Sequence, residues 1–72
     1  MQDRVGQVWE WTKPYAAQLG VPRAAVMLIV RSDLEECMHR MLVLDPGDYS
    51  YKQGQLRTHG EVVEAFGWKR IA

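Results

Sequence analysis

Residues 24–45, AAVMLIVRSDLEECMHRMLVLD, decide the fold. Two runs, AAVMLIVR at 24–31 and CMHRMLVLD at 37–45, are rich in β-branched and long apolar side chains, and the polar SDLEE separates them. Each has the length and composition of a strand, so the pair predicts a hairpin with strands near 24–31 and 37–44. Alternation sets Val26, Leu28 and Val30 on one face of the first strand and Met27 and Ile29 on the other. On the second strand it sets Met41 and Val43 against Met38, Leu42 and Leu44. Both faces are apolar, which a sheet with one wet face does not require. One face is therefore expected to line the core and the other to meet a second cover. The set Met27, Ile29, Met38 and Leu42 is expected to be the outward, partner-contacting one, with Tyr15, Tyr49 and Tyr51 added to it; a one-residue slip in register exchanges the two sets.

Upstream, VGQVWEW alternates Val5, Gln7, Trp9 and Trp11 against Val8, Glu10 and Thr12, which predicts a strand near 5–12. TKPYAAQLGVP then gathers Pro14, Gly20 and Pro22 and reads as a loop with a helical turn over PYAAQL. Downstream, DPGD places Pro46 and Gly47 at the centre of a chain reversal, since proline presets φ and glycine accepts a positive one. YSYK predicts a shorter strand near 48–52. THGEVVEAFG opens with Thr58 and Glu61 at capping-box spacing and ends at Gly67, which predicts a short helix near 58–66. WKRIA supplies a last strand near 68–71.

With 72 residues, 47% hydrophobic and 25% charged, the chain has the composition of one small globular domain spanning 1–72, far from that of a disordered segment. Nine basic residues balance nine acidic ones. The long-range field that usually accompanies nucleic-acid or acidic-membrane binding is thus missing. A lone cysteine, Cys37, forbids an internal disulfide and fits a reducing compartment. The start MQDRVGQ lacks the apolar core of a signal peptide, and AAVMLIV is far shorter than a membrane span, so a cytoplasmic protein without membrane contact is expected.

The order of strand, long loop, three-strand meander, short helix and terminal strand, together with VGQVWEW and GWKRI, resembles the SH3-like small barrel. The resemblance implies a mainly β, five-stranded barrel with a short helix before the last strand, and a last strand lying beside the first. Trp9, Trp11 and Trp68 would then close a small core from neighbouring terminal strands, with Glu10 opposite Lys69 or Arg70. The Ala-Leu-Tyr-Asp-Tyr run, the Trp-Trp pair and the Pro-x-x-Tyr site of signalling SH3 domains are absent, so polyproline binding is not implied. VGQVWEW followed by VPRAAVMLIVRSD is also similar to the opening of MazF-like ribonuclease toxins, which would make Arg23 a phosphate contact. This chain departs from that family in lacking its additional helices and in carrying no hydroxyl in HRMLVLD.

Chemical constellations are sparse. Cys37 and His39, two apart on one strand face, are half of a metal site with His59 as a distant third, whereas a structural zinc site needs four ligands. Ser32 and Ser50 have no nucleophile elbow around them, and Asp33, Glu35, Glu36, Asp45 and Asp48 read as turn residues. No catalytic residue, metal or cofactor is assigned. Tyr49 and Tyr51 share one face near Lys52 and Arg57, an aromatic and basic platform suited to single-stranded nucleic acid. The reading as a whole is a non-enzymatic interaction or accessory module that binds a protein or itself, of a kind encoded by phages and mobile elements. The alternative is an RNA-directed protein acting through Arg23, Tyr49, Tyr51, Lys52 and Arg57.

Overall fold

A computed structural model describes residues 1–14 and 22–72. The expected helical turn over 14–19 lies almost wholly outside them, as does Tyr15. The chain forms five strands, β1 Val8–Trp11, β2 Ala25–Asp33, β3 Met38–Asp45, β4 Leu56–His59 and β5 Trp68–Arg70, with a 3₁₀ turn at Glu64–Phe66 before β5. All pairings are antiparallel, in the order β4-β3-β2-β1-β5. The last strand therefore lies beside the first, with Trp11 opposite Trp68 and Glu10 opposite Lys69. Among the described residues the ladder does not close into a ring: β4 and β5 are its two edges. Side chains nevertheless bring those edges together, the His59 ring standing edge-on to Trp68 with centroids 5.3 Å apart. No helix among the described residues is long and apolar enough to cross a membrane.

The hairpin β2–β3 builds most of the core. Ala25, Met27 and Ile29 from β2 and Met41 and Val43 from β3 are buried, joined by Val62 and Trp68. Met27 and Ile29 are 0% exposed. This corrects their expected outward placement: Met27 pairs with Val43 and Ile29 with Met41, so these four face inward together. Leu28 pairs instead with Leu42 on the opposite face. Each buried side chain of this size contributes about 1.5–3 kcal/mol through loss of water contact. Register shifts between Val26 and Met27 and between Ile29 and Arg31 bend the hairpin and add a residue to each strand in turn.

Two expected elements are replaced. Residues 48–52 form no strand; the partner of β3 is β4, at 56–59, because the Val43 carbonyl accepts the Gly54 N–H and the Val43 N–H donates to the Gln55 carbonyl, which lead the chain back along β3 only after Gly54. The helix over 58–66 is absent. Thr58 continues β4 opposite Arg40, and the Glu61 carboxylate that would have closed a capping box is occupied by His39 and Arg4. What remains of it is the 3₁₀ turn, ended as expected by Gly67 at φ 96°. A Cβ on Gly67 would lie 1.9 Å from the Thr12 carbonyl oxygen, so only glycine lets this turn meet the end of β1. Gly47 allows a similar approach at the chain reversal, where an added Cβ would sit 2.3 Å from the Arg23 carbonyl oxygen.

Candidate functional site

The inward side of the sheet carries an aromatic cluster at one end. Trp11 from β1 lies 4.8 Å from Tyr49, 6.3 Å from Tyr51 and 6.4 Å from Trp68, centroid to centroid. The loop after β3 carries both tyrosines over the core because Asp45 accepts the Gly47 N–H and Arg23 accepts the Asp48 N–H, which fold it back onto the start of β2. Tyr49 Oη then accepts the Lys13 N–H at 2.7 Å, and Trp11 Nε1 donates to the Phe66 carbonyl at 2.8 Å. Arg57, on the inward face of β4, lays its guanidinium 4.5 Å from the Tyr51 ring. His59 beside it has a lowered pKa, through burial first and the Arg57 charge second, which favours the uncharged ring against Trp68.

The expected platform of Tyr49, Tyr51 and Arg57 is thus brought together. Lys52 is exposed in the following turn, where its backbone N–H donates to Gln55 Oε1. Arg23 stands at the foot of β2, paired with Asp45 at 2.9 Å. Cys37 is exposed in the β2–β3 turn, where it adopts φ 54°, while His39 is completely buried, so the two do not share a site.

At the other end of the core lies a polar network that sequence reading missed. His39 faces Ser32 Oγ through Nδ1 at 2.7 Å and Glu61 Oε1 through Nε2 at 2.8 Å. The same carboxylate oxygen accepts Arg4 Nε at 2.9 Å and the Val62 N–H at 2.9 Å, while Ser32 Oγ accepts the Arg4 N–H. Burial alone would raise the Glu61 pKa, but the bonds from His39, Val62 and Arg4 outweigh it and hold it at about 2. The order Ser–His–Glu has the composition of a nucleophilic triad. Its imidazole has no accessible surface, however, and every buried side-chain nitrogen and oxygen among the described residues has a hydrogen-bond partner. The arrangement works as a clamp joining the N-terminal segment, the hairpin and the turn before β5.

The outward side is different. Val8 pairs with Leu28, Leu28 with Leu42 and Leu42 with Leu56, and Ile71 donates its backbone N–H to the Val8 carbonyl. One apolar row therefore crosses β1 to β4 and continues at Ile71, just past the end of β5. Its ends are open, with Leu56 56% and Ile71 48% exposed, and Val30 and Leu44 are exposed beside it. Met38 and Leu42, expected to contact a partner, are half-buried on this outward side. Next to the row, Arg31 pairs with Arg40 and Arg40 with Thr58, and these residues with Asp33, Glu36 and Met38 line a shallow cavity of about 270 Å³.

Comparison of the chain with protein-family models, with curated proteins and with solved structures gives no match.

Proposed function

We propose that this chain is a non-enzymatic interaction module, an SH3-like small barrel that holds another protein surface against the outward face of its sheet. The apolar row Ile71–Val8–Leu28–Leu42–Leu56 carries the reading. A protein of this size ordinarily turns polar side chains outward on an antiparallel sheet, and an apolar row that water reaches fully at both ends and partly along its middle marks a contact surface. Two covers are expected for this face, the loop 13–22 and the helix over 58–66: most of the loop lies outside the described residues, and the helix is absent, its replacement sending Val62 into the core on the opposite side. The barrel reading is supported by the strand order, by adjacency of the terminal strands and by the meeting of His59 with Trp68. A lone exposed thiol suits a reducing cytoplasm.

The test is the Leu42→Asp variant, compared with the wild type for melting temperature and for mass in solution, alone and after incubation with extract of the native host. A complex that the variant loses while keeping its melting temperature supports the module. A complex that survives the substitution, or no complex of any kind, rejects it.

One observation favours a second reading, an RNA-directed protein: the guanidinium of Arg57 stacked on Tyr51 beside Tyr49 and Trp11 offers π-faces and a positive charge together. Binding of a labelled single strand that weakens steeply with salt and is lost in Arg57→Gln would establish it; salt-independent association through Leu42 would exclude it as the main activity.

A further inference from the structure

The outward face carries charges, unpaired among the described residues, on both sides of its apolar row. In strand register, three rows of side chains cross it. The central row is apolar: Val8, Leu28, Leu42 and Leu56. On the hairpin side lies Arg31, Arg40 and Thr58. On the other side lies Lys69, Glu10, Val26 and Asp45. The ion pairs among the described residues involve Arg4, Arg23, His39, Asp45 and Glu61 alone, which leaves Arg31, Arg40 and Glu10 without a partner. Like charges directly opposite one another on neighbouring strands repel. Arg31 and Arg40 form such a pair, and Asp33 and Glu36, though they line the same cavity, make no ion pair with them.

We infer that the occupant of this face is a second copy of the chain, docked face to face about a two-fold axis that runs along the apolar row. The inference rests on the proposed role of the face as a protein contact and adds the partner. A face-to-face two-fold dimer needs its axis in the plane of contact, and such an interface is isologous. An axis parallel to the strands stacks Arg31 and Arg40 on their own copies. An axis along the row instead lays the apolar residues of one copy on those of the other and brings each arginine row over the partner's row of Lys69, Glu10, Val26 and Asp45. Asp45 is already held by Arg23, so Glu10 is the acid left to answer an arginine. From its position over Val26, Arg31 of the other copy has Glu10 as the neighbouring cross-strand residue. Sheets packed in this way lie about 10 Å apart, a gap that interdigitated leucine, valine and isoleucine side chains fill.

Sedimentation across a concentration series tests the dimer. The wild type is expected to pass from monomer to dimer. Leu42→Asp, and the edge variant Leu56→Asp, whose side chain is 56% exposed and so contributes less to folding, are expected to remain monomeric at every concentration. Glu10→Arg and Arg31→Glu are each expected to weaken dimerisation at least about fivefold, since the two-fold axis doubles the exposed Arg31–Glu10 pair and both copies are lost, and the double variant is expected to recover it. A monomeric wild type, a dimer that persists in Leu56→Asp, or single reversals that the double variant does not rescue would overturn the two-fold arrangement. If the wild type is monomeric alone but Leu42→Asp loses a complex with a different protein, the interaction module stands and the self-docking falls.

Discussion

Glu61 gathers three donors on one carboxylate oxygen, and through them it ties Arg4, His39 and the Val62 backbone into a single clamp. Its folded-state pKa of about 2 lies below the ordinary 4.5, so the clamp's electrostatic stabilisation is complete above about pH 4.5 and is lost as the pH falls toward 2. Glu61→Gln keeps an acceptor but removes the charge. At neutral pH it is expected to cost about 1–3 kcal/mol, the range for a charge-assisted bond lost in a partly buried site, and to flatten the fall in stability below pH 4.5. Chemical denaturation of both proteins across that range checks the sign; an unchanged acid limb in the variant would show that other carboxylates set it. At this scale Trp9 was legible as a core aromatic, and it packs there with its Nε1 donating to Gln7. The Glu61 clamp was not legible, because its members are spread over positions 4, 32, 39 and 61 and meet only after the chain has folded.

Among the elements, β5 is the most exposed to failure, since it is three residues long and forms an edge. It is placed by the turn before it: Gly67 at φ 96° donates to Glu64 and gives its carbonyl to the Thr12 N–H. Gly67→Ala puts a methyl group into the Thr12 carbonyl and strains the left-handed backbone, so a loss of at least about 1–3 kcal/mol is expected. Hydrogen exchange should show the loss first at the Ile71 amide, which bonds the Val8 carbonyl, while amides of the β2–β3 ladder stay protected. The hairpin and the first strand were readable from alternation and apolar content, and the last strand from the length that WKRIA leaves for one. The fourth strand was not. LRTH has neither a β-branched run nor clear alternation, and it becomes a strand because the Lys52–Gln55 turn returns the chain to the free side of β3. The capping-box spacing at 58 and 61 misled for a related reason: a local signal worth about 1 kcal/mol yields to a carboxylate held by three partners.

For the molecule as a whole, the core is small enough that one side chain decides its survival. At roughly 0.05–0.15 kcal/mol per residue, a chain of 72 residues has about 4–11 kcal/mol of stability. Trp68 is 6% exposed, meets Trp11 on one side and His59 on the other, and so links the two edges of the sheet. Trp68→Ala is expected to cost about 3–5 kcal/mol and to leave much of the population unfolded at 37 °C or below. Trp9→Ala, at a half-buried site, should cost less. Thermal melts of the two variants test the order; an unshifted melt for Trp68→Ala would mean that the edges do not depend on it.

The resemblance to the SH3-like barrel implied a last strand beside the first; the sequence by itself determined a mainly β chain with a central apolar hairpin and glycines at two turns. These follow from local physics: side-chain period, β-branched content and the φ that a turn demands. Tertiary structure alone decided which face of the hairpin is inside. Alternation gives two sets but no sign, and the two register shifts in β2–β3 change the pairing partway along. Burial of Met27 and Ile29 is chosen by the three tryptophans and Val62, which pack against that side. The same choice turns Leu28, Leu42 and Leu56 outward into the row between Arg31 and Glu10.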